Sequence, residues 1–194
     1  PNEEFMYKEY AVYQPLQRRG VLDAESIERL RTSSYFTSNS SIFNETDFEQ
    51  LKEMNPRSAA DEKKYQKYLA GQQFVADVLA ILETNCSDQV FMDYGEFEKY
   101  LKSLLGKVEG MSASRLTGIA MVLAVMDKTA VVQKDRKGEI VKDTTTKDTE
   151  IIKLTQDPEK YFEAEVYPHV PDAIWAYEFD PEKKESATNK EKLG

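Results

Sequence analysis

The chain has 194 residues, with 35 acidic against 26 basic side chains and a net charge of −9. That balance argues against a stand-alone, sequence-nonspecific nucleic-acid binder, which neutralises phosphates with surplus Lys and Arg, and it disfavours docking onto anionic membranes. A single cysteine, Cys86, and a single histidine, His169, exclude an internal disulfide, a CxxC knuckle and a His-rich zinc site. Acid–base chemistry is thereby left to carboxylates, lysines and tyrosines. The mean hydropathy is −0.63, and no apolar run approaches the ~18 residues of a membrane span. The opening Pro-Asn-Glu-Glu lacks a methionine, and no basic stretch followed by an apolar one marks a secretion signal. The expectation is a soluble, cytoplasmic chain cut from a larger protein.

In chain order, Phe5 to Leu16 carries Tyr7, Tyr10, Val12 and Tyr13 and stops at Pro15, which reads as a strand whose partner lies outside the chain. Asp23 caps a short helix with Ile27 and Leu30 at helical spacing, and Thr32 to Ser41 reads as a polar loop. Asn44 to Met54 forms another short helix, with Phe48 and Leu51 on one side. A long helix is expected from Ser58 to Asn85, its apolar stripe running through Tyr65, Tyr68, Leu69, Gln72, Val75, Leu79 and Leu82. Asp93 caps the next, striped by Phe97, Tyr100, Leu101, Leu104 and Leu105. Ser112 to Met126 is apolar nearly all round and must be central to the core.

Past Asp127 the pattern changes. Ala130 to Lys142 reads as a β-hairpin closed at Gly138, and Thr144 to Thr149 as a polar linker. Ile151 to Leu154 is extended, and Asp157-Pro158 starts a helix that Pro168 and Pro171 end. The expected fold is α+β and mostly helical: a helical bundle core with an N-terminal strand, a β-hairpin, and a C-terminal helix with an extended tail. Its expected parts are residues 1–17, a helical module over 18–128, the hairpin and tail helix over 129–179, and a charged, disordered tail over 180–194.

Chemistry-bearing clusters are sparse. Cys86 and His169 lack the elbow or oxyanion signature of a nucleophile and base, and read as a helix-end thiol and a turn imidazole. His169 with Glu165 and Asp172 is one imidazole and two carboxylates, a poor metal set. Glu159, Glu163 and Glu165 read as solvated helix charges. Arg18-Arg19 and the group Lys134, Arg136 and Lys137 are the basic clusters that look purposeful, the second being a candidate phosphate contact at the hairpin tip. No GxxxxGK[ST] or GxGxxG cradles a phosphate. Residue chemistry alone reads as an interaction module.

Two stretches resemble the modification (M) subunits of type I restriction–modification systems, which are adenine-N6 DNA methyltransferases. The stronger is Asp148-Thr-Glu-Ile-Ile-Lys-Leu-Thr-Gln-Asp157, leading into Tyr161-Phe-Glu-Ala-Glu-Val-Tyr-Pro-His-Val-Pro-Asp-Ala173 and Trp175. The family's phrase is similar, with leucine where Tyr167 stands and without the inserted Ile174. The weaker is Glu4-Phe-Met-Tyr-Lys-Glu-Tyr-Ala-Val-Tyr-Gln-Pro-Leu16, similar to the family's Phe-Gly-Tyr strand and Val-Glu-Arg-Pro-Leu. Here Met6 replaces the glycine and Tyr13-Gln14 replaces Glu-Arg.

The resemblance implies a parent that flips adenine and methylates its N6 from S-adenosylmethionine. This piece holds no Asn-Pro-Pro-aromatic motif (Asn55-Pro56-Arg57 shares two letters) and is expected to be inactive alone, with no cofactor, metal or catalytic residue of its own. It implies assembly with the DNA-specificity (S) subunit, the second M subunit, or both, and DNA reached through that complex. The implied structural anchor is Tyr161, Phe162, Val166, His169, Val170, Pro171, Asp172 and Trp175, with Pro168 and Pro171 holding an extended segment so that Trp175 packs. Two other readings stay open: a free-standing α+β interaction module unrelated to DNA and, last, a small hydrolase using Glu or Tyr.

Overall fold

The computed structural model describes residues 7–180 and 185–186. The chain is α+β with small antiparallel sheets. In chain order its first elements are β1 (Tyr7–Pro15), β2 (Arg18–Leu22), α1 (Ala24–Arg31), α2 (Ser34–Thr37), β3 (Ser38–Asn39), β4 (Phe43–Asn44), α3 (Glu45–Glu53) and α4 (Ala59–Thr84). Then come β5 (Ser87–Phe91), α5 (Tyr94–Leu105), α6 (Ala113–Leu123), β6 (Ala124–Met126), β7 (Lys142–Lys153), α7 (Pro158–Tyr161), β8 (Ile174–Asp180) and β9 (Glu185–Ser186). No described helix is long and apolar enough to cross a membrane. The chain divides into two compact units, one of Gln17–Val131 and one of the flanking stretches Pro1–Leu16 and Val132–Gly194.

Within Gln17–Val131, the longer helices begin at side-chain caps: Asp23, Asn44, Ser58, Asp93 and Ser112 each accept a backbone N–H from the first turn. The buried stripe of α4 is Tyr68, Gly71, Phe74, Val78, Leu79 and Leu82. Tyr68, Leu79 and Leu82 are buried as expected, whereas Tyr65, Gln72 and Val75 lie off the buried stripe and Leu69 is exposed. The stretch expected as loop contains α2, because Phe36 is buried and pulls a helical turn inward.

The helix expected through Met126 stops at Leu123, and Ala124–Met126 becomes β6. This small strand pairs antiparallel with β2, which also pairs with β5. Gly20 sits between Phe91 and Ala124 in that register, and a Cβ there would strike the buried ring of Phe97. Helices α5 and α6 pack on β2, so the core of this unit is shared between helices and a three-stranded sheet.

In the flanking unit the strand order is β7-β1-β8-β9, all antiparallel. β1, expected to look outside the chain for a partner, has two within it. The segment expected as polar linker is the middle of β7. Its register against β1 shifts between Val12↔Asp148 and Gln14↔Asp143, and the Gln14 N–H donates to Thr146 Oγ1 at 2.8 Å across that irregularity. The inward face carries Tyr10, Val12 and Ile152, covered by Phe162 and Val166. Helix α7 starts at Pro158 under the Asp157 cap, then opens into a π-helical turn over Phe162–Val166, closed by Tyr167 N–H to Phe162 O at 2.9 Å. The extra residue in that turn leaves both Phe162 and Val166 buried.

Candidate functional site

The resemblance-bearing residues gather around β1. Phe162 stacks on Trp175 with ring centroids 4.7 Å apart and planes 6° from parallel. Tyr10 presents an edge to Phe162, Trp175 and Tyr177 at 6.0, 5.3 and 5.7 Å. Such contacts add roughly 0.5–1.5 kcal/mol per pair beyond area burial. Trp175 Nε1 donates to the Tyr167 hydroxyl at 3.1 Å, which satisfies the indole. The Tyr161 hydroxyl donates to Glu150 Oε2 at 2.8 Å. That bond, then burial and the charges of Glu150 and Glu165, push the phenol up from its ordinary value, so Tyr161 acts as a donor and not as a base.

Of the expected anchor, Tyr161, Phe162, Val166 and Trp175 join this cluster. His169 and Pro171 are exposed, and Val170 and Asp172 are half-buried. The segment from Tyr167 to Asp172 is not extended. It folds into consecutive turns, because His169 and Val170 both donate to Val166 O, at 3.0 and 2.9 Å, and Ala173 donates to Val170 O at 3.1 Å. Pro168 and Pro171 fall where no donor is needed.

Beside the cluster, a cavity of about 230 Å³ is lined by Asp148, Glu150, Glu165 and His169 together with Val12 and Val166. Among the described residues no group of three potential ligands could hold a metal ion. Cys86 is exposed and belongs to the Gln17–Val131 unit, whereas His169 belongs to the other.

The two basic clusters part company. Arg18 is buried, and its guanidinium donates to Met121 O and Ala124 O at 3.4 and 3.3 Å. Arg29 donates to Val122 O and Leu123 O at 3.0 and 2.7 Å. Two arginines thus close the carbonyl end of α6, opposite in sign to its dipole. Arg19 pairs with Asp127 at 3.3 Å, and the Thr129 hydroxyl and N–H, with Arg19, hold that carboxyl below its usual value. Neither Arg18 nor Arg29 announces this role in sequence, since the carbonyls lie more than ninety residues away.

Lys134, Arg136 and Lys137 are all exposed on one tight turn. The expected hairpin is reduced there to a single bridge, Lys134↔Ile140. Asp135 Oδ1 accepts the N–H groups of Lys137 and Glu139 at 2.8 and 3.0 Å, Asp135 N–H donates to Glu139 O at 2.8 Å, and Gly138 closes the turn at φ +84°. Its base is tied to β1 through Leu16, which donates to Val141 O at 2.7 Å and accepts from Gln133 N–H at 2.9 Å. No protein-family model matches the chain, and no curated protein or solved structure matches it.

Proposed function

We propose that this chain is the non-catalytic assembly region of a type I restriction–modification methyltransferase M subunit. In this reading the parent methylates adenine N6 with S-adenosylmethionine, while the region described here joins the specificity subunit, the second M subunit, or both. The helical unit of Gln17–Val131, read as the bundle module, supplies bulk and surface. The flanking unit supplies the anchor.

One observation carries the reading. The two stretches that resemble the family are separated by 131 residues of sequence, from Leu16 to Asp148, yet they form adjacent strands of one sheet. Val12 stands opposite both Asp148 and Trp175. A chance likeness in two remote segments has no reason to meet in one core, whereas a shared structural unit requires it. Among the described residues, the Tyr161 hydroxyl and the Trp175 indole N–H of this cluster are taken up by Glu150 and Tyr167, as suits groups that hold a structure together.

Co-expression of the chain with a type I specificity subunit from the same gene neighbourhood tests this. Retention of the specificity subunit on the tagged chain is expected, with retention lost on Phe162→Asp. Absence of both this retention and an Asn-Pro-Pro-aromatic motif in the gene upstream of Pro1 refutes the reading and favours the free-standing interaction module.

A further inference from the structure

We infer that the Lys134–Gly138 turn is a contact for the phosphodiester backbone of duplex DNA, an inference that rests on the reading of the chain as part of a DNA methyltransferase subunit. The chain has seven arginines, and six of them are spent inside the protein. Arg18 and Arg29 donate to carbonyls of α6 and Ala124, Arg19 pairs with Asp127, and Arg31 with Glu28 and Glu83. Arg57 pairs with Glu62 and covers the Tyr65 ring, and Arg115 donates to Gly110 O and Ser41 O. Arg136 alone engages no hydrogen bond, ion pair or ring among the described residues. The ammonium groups of Lys134 and Lys137 flank it and likewise engage no hydrogen bond, ion pair or ring among the described residues, their backbones alone being bonded in the turn.

Three unspent cations within four residues are out of keeping with a chain of net charge −9. The one carboxylate among them, Asp135, is committed to the backbone of the turn through two N–H groups. It therefore shapes the loop and blunts the charge only partly. Because the bridge at Lys134↔Ile140 and the bonds through Leu16 already order the turn, little backbone entropy remains to be lost on contact. A planar guanidinium fits phosphate oxygens two at a time, and ammonium groups on either side add point charges for neighbouring phosphates. From Lys134 to Gly138 there is no apolar side chain to enter a bilayer, which sets a membrane aside in favour of a nucleic-acid backbone. Contacts of this kind position a protein on DNA without reading sequence, which suits a subunit whose partner does the reading.

Titration of the isotope-labelled chain with a short duplex, followed by amide NMR, tests the contact. Amide shifts are expected to centre on residues 134–139. Three phosphate contacts at a slope of about −0.9 each give roughly −2.7, so a fourfold rise in salt lowers tip binding about 40-fold. Arg136→Gln with Lys137→Gln should reduce the slope to about −1 and abolish most of the shift, with the far-UV spectrum unchanged. Parallel titrations use inorganic phosphate, polyglutamate and vesicles of phosphatidylcholine with phosphatidylserine. An unmoved tip, a tip moved equally by any of these three, or shifts untouched by the double substitution overturns the contact. A chain that retains the specificity subunit while its tip ignores DNA loses this contact only. One whose tip responds to DNA without retaining that subunit loses the assembly reading only.

Discussion

Arg18 and Arg29 illustrate how much a single side chain can carry. Between them they satisfy the carbonyls of Met121, Val122, Leu123 and Ala124, where α6 ends and β6 begins. Arg29→Met keeps the length of the side chain and removes the donors, leaving two carbonyls short of partners at a cost of roughly 1–3 kcal/mol. Urea unfolding should show that loss in the midpoint with the slope unchanged; an unmoved midpoint refutes the role. A second residue-scale effect concerns pH. Lys64 at 2.7 Å, and then the Tyr68 hydroxyl at 3.1 Å, hold the Asp47 carboxyl below its ordinary 3.8. A depressed folded-state value contributes stability that is complete above 3.8 and lost as pH falls below it. Asp47→Asn should therefore flatten the acid side of the stability profile while leaving the Tyr68 hydroxyl an acceptor. An unchanged acid slope in urea midpoints counts against it. None of these roles is legible in sequence, because each depends on a partner brought near by tertiary folding.

At the scale of elements, legibility follows periodicity and burial. Helices α3, α4 and α5 declare themselves through polar caps at Asn44, Ser58 and Asp93 and apolar residues a turn apart. The expected stripe of α4 matches the buried one at Tyr68, Leu79 and Leu82 and misses it elsewhere, in part because Gly71 is buried for want of a side chain, not for having an apolar one. β5 reads Ser-Asp-Gln-Val-Phe, and β7 opens Lys-Asp-Thr-Thr-Thr-Lys-Asp-Thr, so both look like loops. They lie at sheet edges, where polar residues are tolerated and guard against unwanted pairing. β6 hides for the opposite reason: Ala-Val-Met continues the apolar run of α6 without a break, and a short apolar run does not distinguish helix from strand. The candidate anchor was half legible. Its aromatic residues are conspicuous, but nothing local shows that they cover Tyr10 and Val12 from the far end of the chain. Phe162→Ala should cost about 3–5 kcal/mol, being wholly buried against Trp175 and Tyr10. Tyr167→Phe, which removes only the acceptor for the indole N–H, should cost about 1 kcal/mol. Equal losses from the two changes would mean that stacking does not dominate the anchor.

For the whole molecule, the topology is an insertion. The chain leaves the sheet unit after Leu16, builds the helical unit, and returns at Val132. The ends of the inserted unit are fastened to each other: the Gln17 side-chain amide donates to Lys128 O and Ala130 O at 2.7 and 2.8 Å, and Asp127 N–H donates to Gln17 O at 3.1 Å. An insert whose ends meet can fold without constraint from the host, which is the usual condition for tolerated insertion. Each unit also has its own core, Phe97, Leu101 and Ile119 in one and Phe162, Ile152 and Tyr10 in the other. Trp175 is the chain's only tryptophan and belongs to the sheet unit, whereas α1 to α6 all belong to the insert. The two common optical probes therefore report different units. Tryptophan emission follows the sheet, and far-UV ellipticity follows mainly the insert. Separate cores predict non-coincident urea transitions by these probes, and Arg29→Met should move the ellipticity transition while leaving the emission transition in place. Coincident transitions that move together in this variant would show one cooperative fold, with the insertion a feature of topology and not of energetics.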